Sequence, residues 1–243
     1  MNDFLTSGLI SPLFQNESET TKILCMILCY LITVLAAYLL GSLNFAIIIS
    51  GKQYRQDIRN FGSKNAGMTN MMRTYGKKAA GLTLLGDALK AMVSCLIGYA
   101  LIGQMGSYIA GLFCIIGHMF PLYYRFKGGK GVVTAAMTIL MCNPFVFLIL
   151  FVMFVVIVLC TKYISLGSVM CMLLFPLILD RIDSFMNQIP TSPYTWIAVL
   201  MTVLVVVKHW ENIKRLSQGK ESKFSFKKSV STPVEEKAEE DAK

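Results

Sequence analysis

Seven separated apolar runs dominate this chain and limit what it can fold into. They lie at about Lys22–Ser50, Ala79–Ile102, Gly106–Tyr124, Val132–Cys142, Pro144–Cys160, Ser165–Asp180 and Thr195–Lys208. A helix needs about 20 apolar residues to cross a bilayer, and several of the runs reach or approach that length. The chain is 55% hydrophobic and only 15% charged, with a mean hydropathy of +0.58, which is outside the range of soluble domains. The sequence therefore predicts an all-α, polytopic membrane bundle of about seven spans.

The short runs and the chain ends refine this prediction. We expect the fourth run, Val132–Cys142, to cover only part of the bilayer, which bundles tolerate when helix ends are buried or line a wet cavity. The first run has neither a basic segment before it nor a cleavage site after it, so we predict a retained span rather than a removed signal peptide. The predicted organisation is a polar extension at 1–21, a membrane domain at 22–224 and a disordered charged tail at 225–243.

Basic residues are concentrated in one set of loops. Of the 23 lysines and arginines, all but Lys22, Lys90 and Arg181 lie in four segments. Those segments are 51–78, 125–130, 161–164 and the residues after Val207. With seven spans they share one side, and the lysine and arginine excess of cytoplasmic loops makes that side the inside. We therefore predict an outside N-terminus and a cytoplasmic C-terminus. The net charge of +9 then reflects contact with anionic lipid rather than nucleic acid.

The cysteines offer no sign of a metal site. All seven lie in or at the ends of apolar runs, and none forms a Cys-x-x-Cys pair with a matching histidine cluster. We interpret them as core thiols and predict no metal.

The loop before the second run concentrates small and hydrogen-bonding residues. It reads DIRNFGSKNAGMTNMMR from Asp57 to Arg73. Glycines let backbone N–H groups converge, hydroxyls and amides supply oriented donors, and the Arg73 guanidinium matches two phosphate oxygens. The candidate anion ligands are Ser63, Asn65, Gly67, Thr69, Asn70 and Arg73. The alternative is an ordinary loop in which Gly and Asn form turns.

A glycine-lysine run, FKGGKG at 126–131, precedes the fourth apolar run. A glycine-rich turn that opens a helix directs unpaired N–H groups and the positive end of the helix dipole toward whatever lies before it. The candidate phosphate ligands are Gly128, Gly129, Lys130 and Gly131. Because Gly131 follows Lys130 where a P-loop has Ser or Thr, nucleotide hydrolysis is disfavoured. The alternative is that Lys127 and Lys130 snorkel while the glycines pack against a helix.

The last apolar run leads into KHWENIKRL at 208–216. On a helix His209 and Asn212 share a face and can turn to one pocket, while Glu211 and Arg215 have the spacing of an i,i+4 ion pair. The alternative is that His209 is a satisfied helix-end residue. Neither His209 nor His118 has the His-x-x-x-x-Asp spacing of common lipid acyltransferases. The Gly-x-Ser-x-Gly and His-Glu-x-x-His motifs are also missing from the sequence, which disfavours a serine or zinc enzyme.

In their order along the chain, these elements resemble the acyl-phosphate-dependent glycerol-3-phosphate acyltransferase family, called PlsY. The family pattern is Gly-Ser-Gly-Asn-x-Gly-x-Thr-Asn-x-x-Arg, then Gly-His-x-Phe-Pro with Phe-Lys-Gly-Gly-Lys-Gly-Val, then His-Arg-Glu-Asn-Ile-x-Arg-Leu. Residues Gly62–Arg73, Gly117–Val132 and His209–Leu216 match it, and Gly41-Ser42 fits the first-span motif. The resemblance covers roughly residues 22 to 224.

The resemblance implies transfer of a fatty acyl group from acyl phosphate to the 1-hydroxyl of sn-glycerol 3-phosphate. The products are lysophosphatidate and phosphate, in the first acylation of phospholipid synthesis. Catalytic roles fall on Ser63, Arg73, Lys130, His209 and Asn212. Supporting roles fall on Ser42, His118, Glu211 and Arg215. The resemblance further implies no cofactor, a site on the cytoplasmic face of a bacterial plasma membrane, and an upstream enzyme that produces acyl phosphate. A substrate phosphate is thought to assist deprotonation in the family, which agrees with the missing His–Asp pair.

Three residues depart from the family pattern. Lys64 stands where glycine is usual, Ala91 follows Lys90 where a Lys-Gly pair is usual, and Trp210 replaces arginine. Since a non-glycine residue does not freely take a positive φ, Lys64 either alters the loop or adds phosphate affinity. The competing interpretation is a transporter or binding protein for a phosphorylated solute, with the short fourth run as a broken transport helix. The lack of an alignable repeat and the apolar outer halves of the spans disfavour it.

Overall fold

The computed structural model describes residues 8–9 and 18–223, and every regular element in that part of the chain is helical. The α-helices are α1 (Glu19–Ser42), α2 (Phe45–Tyr54), α3 (Met68–Tyr75), α4 (Lys77–Ile102), α5 (Gln104–Met119), α6 (Val132–Cys142), α7 (Pro144–Thr161), α8 (Ile164–Asn187), α9 (Thr195–Lys208) and α10 (Trp210–Ser217). Short 3₁₀ turns occupy Ile58–Asn60 and Leu122–Tyr124. α1 begins within the predicted N-terminal extension, because Ser18 caps it by accepting from Thr21 N–H. The predicted tail at 225–243 lies outside the described residues.

The membrane-spanning helices are fewer than the apolar runs. Five helical units are long and apolar enough to cross a bilayer, and α9 with α10, bent by 58°, makes a sixth if counted as one span. α6 has 11 residues and is too short. The prediction of about seven full spans is therefore not confirmed. The apolar run that is too short to span is Val132–Cys142, which we expected to cover only part of the bilayer.

Both ends of α6 contact other helices of the bundle, and Gly131, the residue before its first turn, is buried. A Cβ on Gly131, just before α6, would lie 2.8 Å from Met119 Cε and 3.2 Å from Ile115 Cγ2 of α5. At the other end, Gln104 Nε2 donates to Cys142 O at 2.6 Å, and Asn143 Nδ2 donates to Asp183 Oδ1 at 3.2 Å. The α6–α7 corner thus lies beside the α4–α5 turn and the end of α8. The segment 126–131 leads into α6 without regular structure, and Phe126 and Gly131 at its ends both have positive φ.

Glycines bring α5 into close contact with α1 and α4. A Cβ on Gly41 would lie 2.3 Å from Cys114 O, and one on Gly117 would lie 2.4 Å from Tyr38 O. A Cβ on Gly98 would lie 2.1 Å from Gly106 O. Small residues allow such approach in membranes, where dispersion and backbone contact replace the hydrophobic drive between helices. α5 is fixed in this way, and its C-terminal end becomes the support for the site.

Candidate functional site

A cavity of about 510 Å³ opens where the predicted polar segments meet. Its polar end is lined by Ser63, Asn65, Gly67, Thr69, Asn70, Arg73, Lys130, His209, Asn212, Arg215 and Glu221. These residues come from the loop before α3, the run before α6, and the segment around α10. The three separated sequence elements therefore form one site at one end of the bundle.

Asn70 organises the loop before α3. Its Nδ2 donates to the carbonyls of Ile58, Phe61 and Asn65 at 2.9–3.2 Å, and its Oδ1 accepts from Ser63 N–H at 2.9 Å. The Asn70 amide is thus occupied by the loop backbone, although the sequence suggested a substrate ligand. Ser63 stays exposed at the rim, held by this backbone bond.

The backbone of this loop takes two left-handed conformations. Gly62 has φ +55° and Lys64 has φ +58°. A Cβ on Gly62 would lie 2.3 Å from Asn70 Oδ1, so that position requires glycine. Lys64, which stands where the family pattern has glycine, does adopt the positive φ. A left-handed conformation at a non-glycine residue carries local strain.

The glycine-lysine run differs from the predicted amide cradle. Gly128 N–H donates to Met119 O at 3.2 Å, and Gly129 N–H donates to His118 O at 3.1 Å. These two amides satisfy carbonyls at the end of α5 and are not available to a phosphate, so the predicted role of Gly128 and Gly129 as amide ligands is wrong. Their lack of a side chain is required for packing, since a Cβ on Gly128 would lie 2.0 Å from His118 O. Gly131, Val132 and Val133, at the start of α6, line the cavity, and the first N–H groups of a helix have no intrahelical carbonyl to bind.

Lys130 points into the cavity and donates to Asn212 Oδ1. Burial, with nearby Arg215 and Arg73, lowers the pKa of the Lys130 ammonium to about 8. Lys127, by contrast, is exposed and does not line the cavity. The structure therefore distinguishes the two lysines of the run.

His209 and Asn212 lie on one wall of the cavity and are almost fully buried. His209 Nδ1 donates to Val205 O at 2.7 Å, so in the neutral ring Nε2 is the acceptor nitrogen. Arg73, on α3, completes the polar end and donates to Ser222 O at 3.5 Å. Burial lowers the pKa of its guanidinium from the usual value.

Glu221 joins these groups and was missed by the sequence analysis. Its carboxylate accepts from Asn212 Nδ2 at 2.7 Å, Arg215 Nε at 2.8 Å and Ser165 Oγ at 2.9 Å. Burial raises the pKa of Glu221, but these hydrogen bonds outweigh it and the net shift is downward. Arg215 is paired with Glu221 rather than with Glu211, which is exposed, so the predicted Glu211–Arg215 pair is wrong. The only signal was one acidic residue in a basic segment.

The same cavity continues into the bundle as an apolar groove. Its walls are contributed by α6, α7 and α8 and include Val133, Ala136, Met137, Phe147, Leu150, Phe151, Phe154, Val158 and Met172. Ser42 lies away from this groove and links α1 to the turn after α5: its Oγ donates to Tyr38 O and accepts from Leu122 N–H. The site thus combines a cationic, polar mouth with an apolar groove.

Comparison with known proteins identifies the family. Residues 31–219 match the sequence model of the family described as glycerol-3-phosphate acyltransferase. The chain belongs to this family. A glycerol-3-phosphate acyltransferase from Finegoldia magna is 41% identical over 199 residues, which cover 80% of this chain and 96% of the relative. One from Syntrophomonas wolfei is 43% identical over 190 residues, covering 78% and 94%.

Solved structures support the same assignment for the fold. The crystal structure of PlsY, an integral membrane glycerol 3-phosphate acyltransferase, in its glycerol 3-phosphate form has a TM-score of 0.72 and 35% identity, covering 81% of this chain and 96% of that one. Its lysophosphatidic acid form has a TM-score of 0.70 and 33% identity, with the same coverage. The resemblance read from the three sequence motifs is therefore confirmed, as is an integral membrane acyltransferase fold.

Proposed function

We propose that this protein transfers a fatty acyl group from acyl phosphate to the 1-hydroxyl of sn-glycerol 3-phosphate, releasing lysophosphatidate and phosphate. The observation that carries the proposal is the composite cavity. Arg73, Lys130 and Arg215 supply positive charge at its mouth, which suits two phosphate groups, and the groove between α6, α7 and α8 suits an acyl chain. The family's role in glycerol 3-phosphate acylation agrees with this pairing.

The chemistry requires alignment more than a strong base. The 1-hydroxyl oxygen attacks the acyl carbonyl carbon, the bond from that carbon to the phosphate oxygen breaks, and the hydroxyl proton passes to a phosphate oxygen. A mixed anhydride is already activated, so the main contributions are proximity and stabilisation of developing negative charge. Lys130 and the first turn of α6 stabilise the phosphate of the donor. Arg73 and Ser63 bind the second anion at the rim.

The wall around His209 positions the acceptor. Its Nε2 is the acceptor nitrogen and is suited to a hydroxyl of the glycerol. Asn212 accepts a hydrogen bond from Lys130, and the Glu221 carboxylate accepts hydrogen bonds from Asn212 and Arg215. The Glu221 carboxylate therefore acts as a positioning group. Asn65, Gly67, Thr69 and Gly131 complete the substrate-facing surface. Asn70, Gly128 and Gly129 maintain the shape of the two loops.

The test is a donor comparison with purified protein. Glycerol 3-phosphate is offered with acyl phosphate, acyl-CoA or acyl carrier protein, and lysophosphatidate is measured. We expect turnover with acyl phosphate. Turnover with the thioesters alone would contradict the donor assignment. An upstream enzyme that makes acyl phosphate is then the expected partner in phospholipid synthesis.

Family membership favours the enzyme over the transport alternative. Uptake of glycerol 3-phosphate into proteoliposomes with no covalent product would reverse that preference. We expect lysophosphatidate to form and no uptake to accompany it.

A further inference from the structure

A buried ionic cluster lies beneath the glycine-lysine run. Asp87 and Lys90 of α4 and His118 of α5 are each at most 4% exposed. Lys90 Nζ lies 2.9 Å from Asp87 Oδ1 and 2.9 Å from His118 Nδ1. Asp87 and His118 also line the cavity. Ionisable groups inside a membrane bundle are costly, so their presence here calls for a function.

The hydrogen bonds of Lys90 determine the protonation of His118. Lys90 Nζ donates to Gly41 O at 2.9 Å and Leu43 O at 2.7 Å, at the C-terminal end of α1. An ammonium has only donors, so His118 Nδ1 is the acceptor in their contact. Asp87 balances the charge of Lys90 and lies 3.5 Å from Nδ1. The neutral imidazole of His118 therefore carries its proton on Nε2.

The Nε2 edge of His118 faces the glycine-lysine run. A Cβ on Gly129 would lie 2.2 Å from His118 Nε2 and 2.5 Å from Ala66 O. Gly129 is thus packed between the imidazole and the loop before α3, and its own N–H binds His118 O. The next residue is Lys130. A small movement of the ring would displace Gly129 and with it the lysine in the cavity.

We propose that the Asp87–Lys90–His118 cluster positions Lys130: Lys90 fixes the tautomer and orientation of His118, and the Nε2–H edge of that ring holds Gly129 in place. The inference rests on the phosphate-binding role proposed above for Lys130. His118 is a positioning residue here, and Asp87 and Lys90 act through it. The cluster also connects the end of α1 to α4 and α5, so three helices determine the placement of one cation.

The unmodified protein allows a first test, because the chain has only two histidines. In ¹⁵N spectra of imidazole-labelled protein in bilayers, we expect one ring with its proton on Nε2 and one with its proton on Nδ1. The first is His118 and the second is His209, which donates from Nδ1 to Val205 O. His209→Asn assigns the two signals. A His118 ring protonated on Nδ1, or on both nitrogens, would overturn the proposal, and this outcome does not depend on the proposed function.

Two substitutions of His118 form the second test. Asparagine places an oxygen near Nδ1 and keeps an acceptor for Lys90, whereas glutamine places an N–H near Nε2. We expect His118→Asn to lower kcat/KM by about 100-fold through misplacement of Lys130, and His118→Gln to recover most of that loss. The inhibition constant of inorganic phosphate should rise in His118→Asn and return toward the wild-type value in His118→Gln. Equal activity of His118→Asn and wild type, or failure of glutamine to restore activity in a folded variant, would contradict the positioning role.

Lys130→Ala separates the two proposals. If this variant keeps the wild-type inhibition constant for inorganic phosphate, the role of Lys130 fails whatever the His118 variants do. If Lys130→Ala weakens inhibition by phosphate and His118→Asn does not, the Asp87–Lys90–His118 cluster stabilises the fold and does not position Lys130. The thermal unfolding of each variant is measured in detergent to show that the variant is folded. If a variant does not fold, the ¹⁵N ring spectra of the unmodified protein decide whether the proposal holds.

Discussion

At the scale of single residues, the charge of the Lys130 ammonium changes with pH around its pKa of about 8, so we expect the activity to depend on pH there. The ammonium is charged below a pKa of about 8 and neutral above it, and the proposed role needs the charge. We therefore expect kcat/KM, which reports free-enzyme groups, to fall as pH rises through about 8. A bound phosphate favours the ammonium, so the fall in kcat should come at higher pH.

Lys130→Arg is the matched variant for this profile. A guanidinium stays charged over the accessible range, so the alkaline fall should disappear even if the absolute rate is lower. The measurement is lysophosphatidate formation from about pH 6 to about pH 10 for both proteins. An alkaline fall with the same midpoint in Lys130→Arg would assign the titration to another group.

Lys64 is a second residue with a measurable consequence. It holds φ +58° without being glycine, which costs roughly 1 kcal/mol. Lys64→Gly should relieve this strain, partly offset by the greater freedom of glycine in the unfolded chain. Lys64→Ala is the control, since it removes the same charge and keeps the strain. We expect Lys64→Gly to melt about 2 °C above Lys64→Ala in detergent, and an equal or lower midpoint would contradict the strain.

The residue types in the sequence predicted which side chains lie close together. They did not predict which of their polar groups face the cavity and which bind the backbone. The sequence predicted polar side chains at Lys130, His209 and Asn212 that turn toward a site. All three line the cavity. Asn70, Gly128 and Gly129 looked equally suitable, yet their amides are occupied by backbone carbonyls. Those partners lie 5 to 12 residues away along the chain, and the residue types alone do not show how each loop folds back on itself.

At the scale of elements, close helix contact depends on glycines that face backbone. A Cβ on Gly106 would lie 2.0 Å from Gly98 O, so Gly106→Ala should force α4 and α5 apart and cost about 2 kcal/mol. Gly81→Ala is the control on the same helix pair, because nothing lies within 4 Å of its Cβ position. We expect it to leave stability unchanged or slightly raised. Thermal unfolding of both variants in detergent is the measurement, and equal stability of Gly106→Ala and wild type would contradict the close approach.

The ends of helices were predictable where the sequence changes sharply from apolar to polar. They were not predictable where contacts with other parts of the fold determine where a helix ends. The apolar runs correspond to α4 to α9, including the shortness of α6, but α5 ends at Met119, before its run ends, and α8 continues past its run to Asn187. The first run did not reveal the break between α1 and α2, where Asn44 caps the new helix by accepting from Ile47 N–H. The bend at His209 was also not visible in the apolar pattern, because it lies where the run ends.

At the scale of the whole molecule, the site depends on segments far apart in sequence meeting at one end of the bundle. Ser63, Lys130 and Glu221 on loops and Ser165 at the start of α8 all line one cavity, so those loops and the segment 161–164 before α8 share a face. These are the loops that hold most lysines and arginines. The charge asymmetry that predicts orientation and the charge that suits the substrates therefore belong to the same surface.

The sidedness of that surface can be measured with single cysteines. In a variant with the seven native cysteines replaced, Asn65→Cys and Lys220→Cys lie at the cavity end, and Asn187→Cys lies at the far end of α8. α8 begins beside the cavity and its 24 residues span about 36 Å, enough to separate the two faces. We expect an impermeant maleimide added to intact cells to label position 187, and to reach 65 and 220 only after permeabilisation. Outward labelling of both 65 and 220 would reverse the predicted orientation, and labelling of these two from opposite sides would exclude a shared site.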